Sequence, residues 1–364
     1  MTSAKGPDTV PAGAVTSDLN VQQVPLDQRK QQILKAVVAD YTRTGVPVGS
    51  ASLAVHLATW SSATIRNELA TLSEVGYLIQ PHTSAGRVPS DLGYRYYVDF
   101  LMDEEDVPPA VRRQIDPYFT VMPTSVEEIL EVAATALAQA ADAVSLVSAP
   151  RTLGVRVKHL DLVKLNDSQA LLILVLEGNL VRQHALNLTT PADQAILSAI
   201  AAGLNAVVVG LNAAGMSRLP ESVGAHAALE ADLLNQIIAF MTVVDAQQDT
   251  LILHDGVRNL LHQPEFGDVE LLQQVIEVVE EERMLAALIT AADLDHGVQI
   301  MIGRESGVAE LSRCSLVLTT YRAGPERRGT IGVLGSTRMA YAQVGPRVRY
   351  VAQRVGRAVG RALS

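Results

Sequence analysis

The first hundred residues carry apolar side chains at helical spacing, separated by short polar turns. Apolar positions recur every three to four residues over 27–44, 50–57 and 61–75, which predicts three amphipathic helices. Gly45 and Gly76 follow the first and third helices and favour their ends there. The candidate N-caps are Ser50, Ser61 and Ser62. Helix, turn, short helix, turn, helix is the order of a helix-turn-helix unit.

Two short apolar runs directly follow the third helix. Residues 77–80 and 87–88 are predicted strands, and the polar segment 81–86 joins them. We expect Gly86 to adopt a positive φ in this turn. A hairpin behind such a helix has the form of a wing. Ser90 then favours the start of a helix that connects this unit to the rest of the chain.

The third helix has two chemically different faces. At 100° per residue, Ile65, Leu69 and Leu72 share one face, which is expected to pack inward. The other surface of its N-terminal half is small, polar or cationic: Ala63, Thr64, Arg66 and Asn67. Asn can pair with adenine and Arg with guanine in the major groove, and small neighbours let a helix enter it. An ordinary solvated amphipathic helix explains the same pattern.

These patterns indicate a double-stranded DNA site. We expect Arg66 and Asn67 to contact base edges, assisted by Thr64. The candidates for phosphate or minor-groove contacts are Ser61, Ser62, His82, Thr83, Ser84 and Arg87, with the last four placed at the wing tip. A plain surface hairpin is the alternative for the wing.

Beyond residue 102 the pattern mixes helices and strands. Residues 103–124 contain four prolines and are expected to be irregular, so 103 is a candidate domain boundary. The predicted strands are 155–165, 170–176, 180–188, 299–302, 315–320 and 329–334. Helices are predicted from Ser125 to about Asp142, from Asp193, over 229–246, from Asp268 to about 292, and from Pro346. This order favours an α+β domain interrupted by a helical stretch.

The terminal helix combines a valine stripe with basic residues. Its arginines are Arg347, Arg349, Arg354, Arg357 and Arg361, and it has no acidic residue. A solvated basic face is preferred over pairing with the acidic run 280–282. Gly356 and Gly360 weaken the helix unless something packs closely against them.

Composition narrows the class of protein. The 364 residues are 48% hydrophobic, enough for two or three domains with their own cores. Cys314 is the one cysteine, which excludes an internal disulfide and a cysteine zinc site and fits a cytoplasmic location. We expect no membrane span, no secretory signal, and a disordered tail over residues 1–24.

Charge and motifs bear on function. The net charge is −10, but residues 25–102 hold seven basic and six acidic side chains, a net charge of +1. A net charge of +1 is a weak electrostatic signal for DNA binding. A dimer would double the number of basic groups available to the phosphates. No catalytic, metal or cofactor motif is present, so an enzyme is not expected. Glu265 and Arg338 are expected to form a buried or domain-bridging pair, with a ligand pocket as the alternative.

Several motifs, in order, carry a resemblance to a known family. They are Pro47-Val48-Gly49-Ser50, Ser62-Ala63-Thr64-Ile65-Arg66-Asn67-Glu68, His82-Thr83-Ser84-Ala85-Gly86-Arg87-Val88-Pro89, Ile302-Gly303-Arg304-Glu305 and Gly335-Ser336-Thr337-Arg338-Met339-Ala340-Tyr341. Together they resemble the bacterial HrcA family of heat-inducible transcription repressors, over about residues 26–345. Ser306 and Ser336 depart from the family's usual Asn and Pro.

The resemblance implies an α+β fold with a winged helix-turn-helix and a GAF-like domain that is interrupted by an inserted dimerising domain. The corresponding ranges are 25–102 for the winged helix, 103–200 and 269–364 for the GAF-like parts, and 201–268 for the insertion. It also implies a homodimer that represses chaperone operons through an inverted-repeat operator, with support from a GroEL-type chaperonin. A small-molecule sensor with a GAF-like domain, or a protein-interaction adaptor, is the alternative.

Overall fold

The computed structural model describes residues 25–83, 85–120, 123, 125–152, 154–177, 180–220, 226–246, 251–291, 297–324 and 327–363. The predicted tail 1–24 lies outside the described residues. The described chain is a mixed helix and sheet protein, as predicted.

The N-terminal unit comprises four helices and a two-stranded ribbon. Its elements are α1 (Gln28–Thr44), α2 (Ser50–His56), α3 (Ser62–Glu74), β1 (Leu78–Ile79), β2 (Val88–Pro89) and α4 (Asp91–Tyr96), followed by one π-helical turn, Tyr97–Leu101. The strands β1 and β2 pair antiparallel. Asp27 and Ser61 cap α1 and α3 with their side chains, and Gly45 ends α1 in the left-handed conformation at φ 67°.

The central unit is built on a six-stranded antiparallel sheet. Its strands are β3 (Val144–Ser148), β4 (Arg151–Thr152), β8 (Ile252–Asp255), β9 (Gln299–Ile302), β10 (Cys314–Arg322) and β11 (Arg327–Ser336). The main order is β8-β3-β11-β10-β9, and β4 pairs with the start of β11. The helices α6 (Val126–Ala141) and α13 (Tyr341–Ala362) pack on one face, together with the N-terminal unit. The short α10 (Val257–Leu260), α11 (Val269–Glu280) and α12 (Glu282–Ala291) contribute to the core on the other face.

A separate inserted unit lies between β4 and β8. Its elements are β5 (Val157–Asn166), β6 (Gln169–Leu176), β7 (Val181–Asn187), α7 (Gln194–Val208), α8 (Ala213–Met216) and α9 (Ala227–Ala246). The three strands form their own antiparallel sheet, with a hydrophobic core that runs from Val155 to Val244. The predicted insertion at 201–268 therefore differs from the structure, because its first boundary falls inside α7 and β8 belongs to the central sheet. Alternating polarity identifies a strand, but it does not say which sheet the strand joins.

The structure differs from the predicted elements in three places. The long helix expected from Asp268 divides into α11 and α12 at Glu281, whose backbone is extended. The expected irregular segment 103–124 contains α5 (Pro109–Ile115) and a 3₁₀ turn, Asp116–Phe119. The short strands β3 and β8 were not predicted.

Pro346 lies inside α13 and does not begin it. The ring nitrogen of proline cannot donate the usual hydrogen bond to the carbonyl oxygen four residues earlier, here that of Ala342. The backbone N–H of Glu105 donates to that oxygen instead, at 3.1 Å. The interior proline is therefore accommodated by the segment that leads out of the N-terminal unit.

The valine stripe of α13 is buried as predicted, whereas its arginines are not simply solvated. Val348, Val351, Val355 and Val359 are all buried in the core. Arg349 pairs with Glu104 and Arg354 with Asp116, so the acidic partners come from the segment after the N-terminal unit and not from residues 280–282.

By length and composition alone, one described helix could span a membrane: Ala227–Asp245 within α9. Leu233, Ile237 and Met241 on one face of this helix pack into the core of the inserted unit. The side-chain amide of Gln236 also bonds both backbone groups of Asn187 in β7, at 2.9 Å each. Core helices of this kind meet the same criterion.

Candidate nucleic-acid interface

The helix α3 presents the two faces that its sequence predicts. Ile65, Leu69 and Leu72 are buried against the rest of the N-terminal unit. Arg66 and Asn67 are exposed on the other side, and neither side chain forms a hydrogen bond with a described residue. Their donors and acceptors are therefore available to an external partner.

The hydroxyl groups at the start of α3 are partly engaged within the protein. Ser61 caps the helix by accepting a hydrogen bond from the backbone N–H of Thr64 at 3.1 Å, and the two hydroxyl oxygens lie 3.0 Å apart. The hydroxyl of Ser62 lies 3.1 Å from that of Ser50 and so joins α3 to α2. In the structure Ser50 is the first residue of α2 and Gly49 is at the cap position, so the prediction that Ser50 caps this helix was wrong.

An acidic residue of α3 is neutralised from α1. Glu68 lies within 3.4 Å of Arg29 and 3.3 Å of Lys30. Lys30 also donates a hydrogen bond to Asp27, which raises the pKa of Lys30. These contacts engage the Glu68 carboxylate on the α1 side of the helix and leave the Arg66 guanidinium unpaired.

The wing tip is organised by a glutamine that the sequence did not single out. The side-chain amide of Gln80 donates to the carbonyl oxygens of Thr83 and Ala85, at 2.9 and 3.1 Å. His82 and Thr83 are exposed at this tip, as expected. Ser84 lies outside the described residues. No specific sequence signal marks this role, because glutamine is not one of the residue types that favour turns.

Arg87 lies at the base of the wing, not at its tip. Its backbone forms two hydrogen bonds with Val48, each of 2.8 Å, which adds the turn before α2 to the ribbon. The side chain is half-buried, and its Nε has no hydrogen-bond partner among the described residues. The Arg87 side chain therefore starts at the junction between the wing and the turn before α2.

Gly86 is required for close packing and not for a positive φ, which was the expected reason. Several described glycines have a positive φ, and Gly86 is not one of them. A Cβ atom at this position would lie 2.5 Å from the backbone carbonyl of Val48 and 2.7 Å from that of Pro47. Glycine thereby permits the pairing of the wing with the turn before α2.

Arg338 and Glu265 form the predicted pair, and the pair reaches the N-terminal unit. Two guanidinium nitrogens of Arg338 bond the Glu265 carboxylate, and the third donates to the backbone oxygen of Thr42 at 2.8 Å. The hydrogen bond from Arg338 to Thr42 joins the central unit to α1, near the C-terminal end of α1.

Among the described residues, no group of three or more His, Cys, Asp or Glu side chains is placed to hold a metal ion. The thiol of Cys314 is buried in the central sheet, and burial raises its pKa to about 12.

Comparisons with known proteins agree on one family. A family model described as the HrcA protein C terminal domain matches residues 127–344. "Heat-inducible transcription repressor HrcA" of Herpetosiphon aurantiacus is 36% identical over 331 residues, covering 90% of this chain and 93% of that protein. The repressor of the same name from Desulforamulus reducens is 35% identical over 342 residues, covering 93% and 98%.

A solved structure supports the fold over nearly the whole chain. It is described as "Crystal structure of a hypothetical protein at 2.2 A resolution", and it matches with a TM-score of 0.54 and 22% identity. The match covers 93% of this chain and 98% of that one. On the strength of the sequence matches, the chain belongs to the HrcA family.

Proposed function

We propose that this chain is a transcription repressor that binds an inverted-repeat operator as a dimer, with a winged helix-turn-helix as its N-terminal unit. The observation that carries the proposal is the orientation of α3, which buries Ile65, Leu69 and Leu72 and exposes Arg66 and Asn67. In the major groove, Arg66 and Asn67 supply the donors and acceptors that discriminate guanine and adenine, and Thr64 assists them. The residues proposed for phosphate or minor-groove contacts are Ser61, Ser62, His82, Thr83, Ser84 and Arg87.

The regulated genes follow from the relatives. The curated proteins that match along most of this chain are named heat-inducible transcription repressors. We infer that this chain represses heat-shock genes and releases them on heat stress. The proposal includes a cytoplasmic location, a GAF-like character for the central unit and dependence on a GroEL-type chaperonin.

The small net charge of the N-terminal unit fits a dimer better than a monomer. With a net charge of +1 over residues 25–102, one copy gives a weak electrostatic attraction to phosphates. A two-fold dimer presents two copies of α3 to two half-sites, so that the symmetry of the protein predicts the symmetry of the operator.

We propose the outward face of the inserted sheet as the contact between the two copies. On β6, Leu172 and Leu174 point into the core of the inserted unit, while Leu171, Ile173 and Val175 face outward and are partly exposed. Their outward neighbours on the flanking strands include Val163 and Val181, which are 36% and 52% exposed. The same outward face also carries Asp161 and Gln183 opposite Ile173, so it is a mainly apolar surface with polar positions, which a second copy can cover.

Side chains occupy part of each edge of the inserted sheet, which favours its face for association. The side-chain amide of Asn205 bonds both backbone groups of Leu160 in β5, at 2.8 and 2.9 Å. Gln236 does the same for Asn187 in β7. Because side chains satisfy these edge groups, extension of the sheet by a second chain is disfavoured there.

The dimer contact is tested with a pair of exposed valines. Val181→Glu places a charge on the outward face, whereas Val207→Glu places it on α7, where the side chain is 49% exposed. Light scattering is expected to show a dimer for wild type and V207E and a monomer for V181E. A dimeric V181E, or a monomeric V207E, would contradict the assigned face.

The proposed function is tested by selecting bound sequences from a random pool of duplex DNA with the full chain. We expect enrichment of an inverted repeat, and loss of that enrichment for the double variant Arg66→Ala, Asn67→Ala. Enrichment of no sequence by the wild type would refute operator binding. An unchanged repeat with the double variant would refute the role of α3.

A further inference from the structure

Basic charge is concentrated at the C-terminal end of the chain. Residues 313–364 contain ten arginines and one acidic residue, a net charge of +9, although the whole chain has a net charge of −10. These arginines lie on β10, β11, α13 and their connections. Arg338, Arg349 and Arg354 are paired with carboxylates, so the pairing accounts for only part of this charge.

A cleft lies within this basic region. It has a volume of about 560 Å³ and is formed between the end of β10 and the second half of α13. Arg322 contributes from the strand, and Arg349 and Arg357 contribute from the helix. Thr320 and Gln353 add a hydroxyl and an amide, and no acidic side chain lines the cleft among the described residues. This volume is in the range of small-molecule sites, about 300–1,000 Å³.

The three arginines of the cleft are not equivalent. Arg349 is fixed by two hydrogen bonds to Glu104, each of 2.9 Å. Arg322 and Arg357 are exposed, and neither side chain has a hydrogen bond or ion pair with a described residue. Two guanidinium groups therefore line the same cleft, and within the described part of the chain no carboxylate is bonded to either of them.

A glycine brings the two unpaired arginines together. A Cβ atom on Gly356 would lie 2.5 Å from the backbone oxygen of Arg322, so only glycine allows α13 to approach the end of β10 this closely. Arg357 is the next residue of α13. Close packing against Gly356 was expected from the sequence to offset the cost of a glycine within a helix. The backbone of Arg322 provides that packing, and the same contact forms one wall of the cleft.

We propose that this cleft binds a phosphate-bearing small molecule with at least two negative charges. The planar guanidinium donates two parallel hydrogen bonds to phosphate oxygens, and two unpaired guanidiniums match a diphosphate group. The Thr320 hydroxyl and the Gln353 amide supply neutral hydrogen bonds beside them.

The cleft is separate from the proposed DNA-binding surface. The N-terminal unit contacts α13 at its first residue, where the rings of Tyr94 and Tyr341 are 5.8 Å apart. Arg357 lies sixteen residues further along the helix, about 24 Å at 1.5 Å per residue. A ligand in the cleft therefore binds without competing for α3.

The test is calorimetric titration of the full chain with inorganic pyrophosphate, compared with sodium sulfate at the same ionic strength. We expect saturable binding of pyrophosphate only. The double variant Arg322→Gln, Arg357→Gln is expected to raise its Kd at least about tenfold, since each lost charged hydrogen bond weakens binding. The control Arg313→Gln removes an exposed arginine outside the cleft and should leave the Kd unchanged.

Folding and DNA binding are measured in parallel. Because Arg322 and Arg357 are exposed and unpaired, the double variant should retain the Tm of the unliganded wild type. If it does not, the single variant R357Q replaces it. The proposal is overturned if sulfate and pyrophosphate give the same heats, or if the variants keep the wild-type Kd. It is also overturned if pyrophosphate fails to bind while the double variant flattens the salt dependence of DNA binding, because the cleft then contacts the DNA backbone.

Discussion

Arg95 of α4 and Glu305 of the central unit are joined by two parallel hydrogen bonds, one from the guanidinium Nε at 2.9 Å and a shorter one from its terminal nitrogen. Arg95 also donates to the backbone oxygen of Ile300. The Glu305 carboxylate accepts a further hydrogen bond from the N–H of Ile302 at 2.8 Å. The Arg95–Glu305 pair thus holds the N-terminal unit to the edge strand β9. The backbone groups of Ile300 and Ile302 in that strand satisfy further hydrogen-bonding positions of the two side chains.

This pair is expected to couple the two units energetically. In a double-mutant cycle with Arg95→Ala and Glu305→Ala, measured by urea unfolding, we expect a coupling free energy of roughly 0.5–3 kcal/mol. Both side chains are less than one third exposed, so solvent screens them only partly. The pair of exposed residues Lys35 and Asp103 is the control, with a coupling of at most about 1 kcal/mol. Equal coupling in the two cycles would contradict the structural role of Arg95.

Gly86 and Gly49 offer a matched test of the wing. Gly86→Ala forces a Cβ atom against the backbone of Val48, whereas Gly49→Ala meets no atom within 4 Å. We expect G86A to lower the free energy of unfolding by roughly 1–3 kcal/mol and to weaken DNA binding. The effect of G49A is expected to be much smaller in both measurements. If thermal unfolding ranks G49A as the more damaging, the close approach does not determine the wing.

A second glycine pair tests the packing of α13. Gly356 and Gly203 both lie within helices, where alanine is favoured over glycine by about 1 kcal/mol. No atom lies within 4 Å of a Cβ at Gly203, so Gly203→Ala should raise the free energy of unfolding. Gly356→Ala should lower it, because the Cβ meets the Arg322 carbonyl oxygen. Chemical denaturation of both variants would show opposite signs, and equal stabilisation would rule out the contact.

Cys314 reports on the central sheet. Burial raises the pKa of its thiol to about 12, so at pH 8 the folded protein holds this group as the unreactive thiol. Unfolding returns the pKa toward about 8.5 and exposes the sulfur. Alkylation of this single cysteine should therefore follow the urea unfolding curve. Thr83→Cys in a Cys314→Ser background should react at once without urea. Rapid labelling of the wild type in native buffer would contradict the buried site.

Local patterns predicted much of α3 and of the wing. The spacing of Ile65, Leu69 and Leu72 determines which face of α3 is buried, and this depends only on helical geometry. Capping by Ser61 likewise involves a residue three positions away. These features were readable because each depends on neighbours within a few residues along the chain.

Long-range contacts explain what the sequence did not reveal. Arg87 sits at the base of the wing because its backbone pairs with Val48, 39 positions earlier. The strand β3 is five residues long and gains its order from β8 and β11, which lie more than a hundred residues further along the chain. The edge-binding amide of Asn205 meets Leu160 at a sequence separation of 45. No periodic pattern encodes pairings of this kind.

We propose that α3 is the DNA-reading helix. It is tested most directly by titrating the wild type, Asn67→Ala and Glu74→Ala with the selected operator and with a scrambled duplex. We expect N67A to lower the ratio of specific to non-specific affinity by roughly 1–3 kcal/mol. Glu74 is exposed at the far end of α3, so E74A is expected to preserve the ratio. A specificity ratio for N67A equal to that of the wild type would contradict the proposal.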